Sequence, residues 1–250
     1  MDEVPQALAR GAVATARLYF VCDAAPPPSL EVVLRSALEG GVDLIQLRDK
    51  AIDDRGLISA ASTFRELASE FGVPFVLNDR PDLVAACGAD GVHVGQDDTP
   101  VARARELAGA AAIIGLSTHS AAELSAACEA EGDSRPDYLS VGPVWPTPTK
   151  EGRPATGLDY VRLAAERAAL PWFAIGGIDL SNVGEVTAAG ARRIVVVRAI
   201  RDASEVRAAA AALREHLETS TDAESLQGDG QTEARAGANE AVGKPSDKVQ

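Results

Sequence analysis

Leu18-Tyr19-Phe20-Val21-Cys22-Asp23-Ala24-Ala25-Pro26-Pro27-Pro28 begins the regular part of the chain, and its second half decides between two architectures. The first five residues form an apolar run rich in β-formers, which reads as a strand. A doubly wound open sheet would follow that strand with a glycine-rich turn. Here the turn ends in consecutive prolines and holds no glycine, so the open sheet is set aside. Outward from this stretch, short β-branched runs alternate with longer Ala/Leu/Glu/Arg patterns, as parallel strands joined by crossover helices do. Strands are predicted at residues 18–22, 43–47, 74–77, 91–94, 113–116, 138–141, 172–175 and 194–197. Helical stretches are predicted to begin near Ser29, Asp53, Pro81, Thr99, Ser120, Gly157, Ser181 and Ala203, several opened by a side chain able to cap free N–H groups. Eight alternations predict an α/β fold closed as a (β/α)8 TIM barrel.

The barrel is expected as a single catalytic domain over residues 17–218. Residues 1–16 form an N-terminal extension, of which 4–13 are compatible with a short helix across the barrel's lower face. Residues 219–250 are dominated by Thr, Asp, Glu, Gly, Gln and Ala, which cannot offset their own ordering entropy, and read as a disordered acidic tail. A length of 250 residues with 46% hydrophobic content is ample for one substantial core. The net charge of -13 argues against a nucleic-acid-binding surface, whose footprint should be basic, so any anionic ligand must be held by a local cluster of donors. Cys22, Cys87 and Cys128 are odd in number, far apart and without a Cys-x-x-Cys pair, which reads as reduced thiols. With no signal-peptide-like or membrane-length apolar run, a cytoplasmic protein without a membrane partner is expected. The oligomeric state stays open, a homo-oligomer included.

In a barrel of this kind the chemistry sits on the loops that follow the strands. Polar residues gather there: Gln46-Leu47-Arg48-Asp49-Lys50, Asn78-Asp79-Arg80, Gly95-Gln96-Asp97-Asp98 and Ser117-Thr118-His119 follow the second to fifth strands. Gly142-Pro143-Val144-Trp145-Pro146-Thr147-Pro148-Thr149-Lys150 follows the sixth, and Gly176-Gly177 the seventh. Alone, the sixth loop is a rigid connector stiffened by proline. Its Thr147, Thr149 and Lys150 nevertheless put two hydroxyls and an ammonium within four residues, which suits an anion. Of 24 basic residues only Lys50, Lys150, Lys244 and Lys248 are lysine. Two of these lie in the tail, and the other two lie just beyond predicted strands, where a compact mobile charge fits a phosphate.

Asp79 and Asp98 follow neighbouring strands. Each alone reads as a cap for the helix beginning just after it. Together, with Asn78, Gln96, Arg48 and Lys50 beside them, they suit a magnesium ion, which takes one or two carboxylates together with substrate phosphates. Carboxylates, a metal and several cations at one mouth describe a diphosphate site. Gly176-Gly177 and the turn after Val197 fall where such barrels bind a phosphate through backbone N–H groups.

On Gln46–Lys50, Asn78–Arg80, residues 90–98, Gly142–Lys150 and 174–178, in order and spacing, the chain resembles the thiamine-phosphate synthase family (thiamine-phosphate pyrophosphorylase) over roughly residues 17–216. The resemblance implies a (β/α)8 barrel that joins 4-amino-2-methyl-5-hydroxymethylpyrimidine diphosphate to 4-methyl-5-(2-hydroxyethyl)thiazole phosphate or its carboxylated form, releasing diphosphate and forming thiamine phosphate. It implies that Gln46, Arg48, Lys50, Asn78, Ser117 and Lys150 contact the pyrimidine diphosphate, with Arg48, Lys50, Ser117 and Lys150 the catalytic members. It further implies that Asp79 and Asp98 ligate magnesium, and that Thr147, Pro148 and Thr149 hold the thiazole phosphate with Gly177, Val197 and Arg198. Arg198 stands where the family often has serine, and Asp49 where glutamate is common. A dissociative displacement is expected, with diphosphate departing before the thiazole nitrogen attacks. The rival readings are a thiazole tautomerase, with His119 offered as its acid-base residue, and a non-catalytic barrel that binds thiamine intermediates. His93 and Cys22 fall inside predicted strands and are expected to pack.

Overall fold

The computed structural model describes residues 10–147 and 154–219. The strands are β1 (Leu18–Cys22), β2 (Leu44–Leu47), β3 (Phe75–Asn78), β4 (Gly91–Val94), β5 (Ile113–Thr118), β6 (Tyr138–Val141), β7 (Trp172–Ile175) and β8 (Ile194–Val196). All neighbours pair in parallel, and β8 returns to β1 through Leu18↔Ile194, Tyr19↔Val195 and Phe20↔Val196, closing the barrel in sequence order. Parallel strands carry helices outside and side chains inside, so each strand is buried on both faces and reads as an apolar run. Both β1 and β2 are buried along their whole length. Two strands run past their expected ends. Asn78 pairs with His93, while Ser117 and Thr118 pair with Ser140 and Val141, so these polar residues belong to the sheet rather than to the loops.

The helices are α1 (residues 10–15), α2 (Leu30–Glu39), α3 (Asp54–Phe71), α4 (Val84–Cys87), α5 (Val101–Ala108), α6 (Ala121–Glu129), α7 (Gly157–Arg167), α8 (Val183–Ala188), α9 (Arg198–Arg201) and α10 (residues 206–219). Ser29, Asp53 and Ser120 cap α2, α3 and α6 by accepting from the N–H groups of Val32, Gly56 and Glu123. Thr99 and Ser181 do not cap, because Pro100 and Asn182 hold those positions. Thr219, expected in the tail, still lies in α10, and residues 220–250 lie outside the described residues. Among the described residues, no helix is long and apolar enough to cross a membrane.

Inside the barrel, side chains at alternate positions of every strand point to the axis. Tyr19, Tyr138 and Phe173 meet edge to face there, with ring centroids 5.4–6.0 Å apart. Gly115 makes room for them, since a Cβ at that position would lie 2.2 Å from the Tyr138 ring and 2.4 Å from His93 Nδ1. Below the aromatics, Val13 and Ala16 from the α1 segment join the interior cluster and plug the lower face.

The lower rim repeats one device at equal intervals along the chain. Asp43, Asp90 and Asp137 each stand immediately before an even-numbered strand and accept from a backbone N–H at the start of the preceding one. The bonds are Arg17 N (2.9 Å) and Leu18 N (3.0 Å) to Asp43, Phe75 N to Asp90 (2.8 Å) and Ile114 N to Asp137 (2.7 Å). Each carboxylate also meets an arginine: Arg214, Arg65 and Arg105 respectively. Burial nevertheless pushes the Asp43 and Asp90 carboxyls above the usual range, because desolvation outweighs these hydrogen bonds. The Arg105 side chain is only 8% exposed, so removing its carboxylate partner leaves a buried charge and a strand N–H less well satisfied. Asp137→Ala is therefore expected to destabilise the fold by about 2–3 kcal/mol and to lower Tm by about 4–12 °C in calorimetry. A shift below about 1 °C, worth a small fraction of 1 kcal/mol, would contradict that role.

Candidate active site

The upper mouth holds a cavity of about 300 Å³ whose walls come from the sides of the strands facing the axis and the first residues of the loops above them. Strand parity decides which side chains reach it. Gln46 and Arg48 are two apart on one stave, as are Ser117 and His119 on another, and all four line the cavity with Lys50, Asn78, Asp79 and Asp98. Seven of the residues expected at a diphosphate site thus converge: Gln46, Arg48, Lys50, Asn78, Asp79, Asp98 and Ser117.

Asp79 is the one non-glycine among the described residues with positive φ, at 60°. Its N–H donates to the carbonyl of His93 (2.9 Å), which fixes the peptide on β4 and turns the side chain toward the cavity. That conformation costs about 1–3 kcal/mol for a residue with a Cβ, a cost tolerated where function requires it. The carboxylate is half-buried and meets Lys50 Nζ at 3.1 Å. Burial pushes its pKa up, the Lys50 ammonium pulls it down, and the neighbouring Asp98 carboxylate pushes it up again. Asp98 reaches this position through a tight turn in which Gly95 N–H donates to its Oδ2 (2.8 Å). A Cβ on Gly95 would lie 2.6 Å from that oxygen, so a side chain there would displace the carboxylate from this position.

Neither aspartate is a helix cap. The short 3-10 turn at Pro81–Leu83 and helix α5 both begin without a side-chain cap, at Arg80 and Pro100. Two carboxylates that repel one another at a cation-lined mouth fit a divalent metal, which relieves the repulsion. Among the described residues no group of three or more His, Cys, Asp or Glu forms a protein-only cage. Magnesium does not need one when substrate phosphates and water complete its shell.

Below the charged rim lies a neutral polar layer. Gln46 donates to the Tyr19 hydroxyl, which shares a hydrogen bond with Tyr138 (3.0 Å). His93 joins Tyr138 through Nδ1 (3.1 Å) and Ser117 through Nε2 (3.0 Å), and Ser140 donates to Ser117 (3.2 Å). His93, Tyr19 and Ser140 line the cavity and were not singled out as site residues from sequence. His93 was expected only to pack. Its parity with Gly91 and Gly95 was the available signal, since all three face the axis. Cys22 does pack: it is fully buried in the layer between strands and helices, and burial, with the Asp23 charge next, pushes its thiol up to about 12. His119 is held at the strand end by a hydrogen bond between its Nδ1 and the Gly142 carbonyl. Gln96 donates to the Ser117 carbonyl (2.7 Å), bracing the loop that carries Asp98.

A second cavity of about 280 Å³ adjoins the first, and Ile175, Val195 and Val197 line both. Thr147, Gly177, Val197 and Arg198 meet there. Gly176 and Gly177 have φ of 106° and 68°, and side chains at either would collide with Pro143 or Trp145. Asn182 Nδ2 donates to the Gly177 carbonyl (2.8 Å) and holds the turn. Pro148, Thr149 and Lys150 lie outside the described residues.

Residues 18–200 match the family model described as thiamine monophosphate synthase. The chain is 54% identical over 206 residues to the thiamine-phosphate synthase of Thermus thermophilus, covering 80% of this chain and 97% of that one. It is 51% identical over 205 residues to the thiamine-phosphate synthase of Thermobifida fusca, covering 81% and 93%. Among solved structures it is similar to the thiamine phosphate pyrophosphorylase from Pyrococcus furiosus, at 35% identity and a TM-score of 0.74 over 84% of this chain and 98% of that one.

Proposed function

The chain belongs to the thiamine monophosphate synthase family, and we propose that it is a thiamine-phosphate synthase, a transferase that joins hydroxymethylpyrimidine diphosphate to a thiazole phosphate or its carboxylated form. The observation that carries this reading is the pair of adjoining cavities. One combines Arg48, Lys50 and two carboxylates above a neutral polar layer, and the other is shaped by a glycine pair and the start of a short helix. A diphosphate on a polar heterocycle fits the first, and a second phosphate fits the other, with the reacting atoms meeting at their shared apolar wall.

In this reading Gln46, Asn78 and Ser117 orient the aminopyrimidine, while Arg48, Lys50 and Lys150 face its diphosphate. The methylene carbon–oxygen bond breaks and its electron pair leaves with the diphosphate, whose growing charge Arg48 and Lys50 stabilise. The electron-rich ring carries the resulting cation. The thiazole nitrogen then donates its lone pair to the methylene carbon, and since it bears no proton, no base is required. Thr147, Thr149 and the backbone at Gly177, Val197 and Arg198 hold the thiazole phosphate, so that attack is a matter of positioning. Asp79 and Asp98 would hold magnesium, which when bound supplies further positive charge to the diphosphate. The free thiols of Cys22, Cys87 and Cys128 fit a reducing compartment, so we place this enzyme in the cytoplasm, with residues 17–218 as its catalytic unit.

The test is to supply both substrates with and without magnesium and to follow thiamine phosphate and diphosphate together. Metal-dependent formation of the two in equal amounts is expected. Isomerisation of the thiazole phosphate alone, or binding with no product, would contradict the proposal.

A further inference from the structure

The turn that aims Asp79 into the mouth has a fixed point outside it. Arg80 follows the strained residue directly, and its guanidinium grips two carboxylates at once. To Asp54 it donates from Nη1 (2.5 Å) and Nη2 (3.1 Å), and to Asp82 from Nε (2.9 Å) and Nη2 (2.7 Å). Asp54 lies in the first turn of α3, at the end of the loop that carries Lys50, and Asp82 lies in the 3-10 turn just beyond. The planar fork of an arginine has one geometry for two bidentate partners, and lysine cannot reproduce it. The clamp therefore ties the loop after β3 to the loop after β2, the two loops whose Asp79 and Lys50 meet at 3.1 Å. Within the turn, the Asp79 N–H is held by His93 on one side and the Arg80 side chain is held on the other, with the positive-φ residue between them.

We infer that Arg80 is a positioning residue: its double carboxylate clamp holds Asp79 in the left-handed conformation and so keeps the Asp79 carboxylate opposite Asp98 and Lys50. Arg80 itself lines neither of the two cavities. The inference rests on the reading of Asp79 as a metal ligand for its functional consequence, but not for its structural one. The three charged groups are more than a third exposed, so the clamp contributes little to global stability. Its loss should show at the metal site and not as a lower melting temperature.

The experiment compares the full chain with Arg80→Met, Arg80→Lys and the double variant Asp54→Asn/Asp82→Asn. The readouts are manganese binding by electron paramagnetic resonance with inorganic diphosphate present, melting temperature without metal, and a crystal structure of Arg80→Met. Weakening of manganese binding by about 10–100-fold in Arg80→Met and in the double variant is expected, as for other groups that orient a metal ligand, with Arg80→Lys in between. Melting temperatures should stay close to wild type or rise by about 2–4 °C as the strain at Asp79 is released, and the Asp79 peptide should leave positive φ. Unchanged manganese affinity in both Arg80→Met and the double variant would overturn the inference. If wild type binds no manganese, the metal reading of Asp79 fails. The inference about Arg80 is then decided by the crystal structure: an Asp79 that keeps its φ and its place beside Lys50 refutes it, and a rotated peptide upholds it. Should Arg80→Met fail to fold, the double variant carries the same two outcomes.

Discussion

Asp79→Gly is expected to cut turnover by at least about a hundredfold, ~3 kcal/mol of barrier, while leaving the protein as stable as before or more so. The two effects have opposite signs because the residue serves the site at the expense of the fold. At φ 60° a Cβ is strained, and glycine adopts that conformation freely. Relief of about 1–3 kcal/mol is set against the greater freedom of glycine in the unfolded chain, about 0.4–1 kcal/mol. The lost pair with Lys50, whose side chain is 63% exposed, contributes little. Removing a carboxylate that burial already disfavours adds nothing to the cost. The balance is about 1 kcal/mol in favour of the variant, a rise in Tm of about 2–4 °C. Thermal melts and initial rates on the same preparation check both halves. A drop in Tm of several degrees, or near-normal turnover, would show that Asp79 is an ordinary turn residue.

Gly176→Ala is expected to lower stability by about 3 kcal/mol and Tm by about 6–12 °C, and to raise KM for the thiazole phosphate about tenfold, with a smaller change for the pyrimidine diphosphate. The backbone at Gly176 has φ 106°, outside the regions open to residues with a side chain. An added Cβ would lie 2.5 Å from Pro143 Cβ and 2.6 Å from its Cα. The turn cannot yield cheaply, because Val144 N–H donates to the Ile175 carbonyl (2.8 Å) and Trp145 N–H to that of Gly176 (3.1 Å). Any accommodation would separate the loop after β6 from the loop after β7, which together bound the second cavity. Circular dichroism melts and steady-state kinetics with each substrate varied in turn give the test. An unshifted Tm would mean that the turn is looser than its contacts indicate.

The barrel was legible because parallel strands buried on both faces leave apolar runs that alternation with helices makes countable, and the proline turn after Cys22 excluded the main competitor. Strand ends were less legible. Asn78 and Ser117 are polar and read as loop, yet each pairs within the sheet, because the upper layer of the barrel faces a polar cavity rather than a dry core, while Thr118, on the opposite parity, is buried by donating its hydroxyl to the Ser140 carbonyl (3.1 Å). The same fact hid His93, Ser140 and Tyr19 from the site. Parity shows that a strand residue faces the axis, but not whether it stands in the packed aromatic layer or in the layer above it, which depends on the stagger of neighbouring strands. Asp79 and Asp98 were legible as carboxylates after adjacent strands, with capping as the alternative. The positive φ of Asp79 and the close turn at Gly95 take both carboxylates away from the capping positions, and both are backbone properties that composition does not encode. The clamp at Arg80 is not legible in the sequence, because Asp54 lies 26 residues away on another loop.

We propose that this mouth works by stabilising departing diphosphate, so that the methylene carbon bears positive charge before the new bond forms. The most direct measurement is the effect of ring substitution on kcat, comparing the natural pyrimidine diphosphate with one whose ring methyl is replaced by trifluoromethyl. A fall in kcat of at least about a hundredfold with KM little changed, some 3 kcal/mol of lost cation stabilisation, is the predicted result. A change of less than about threefold, well under 1 kcal/mol, would mean that the nitrogen attacks before the leaving group departs, and would contradict the account.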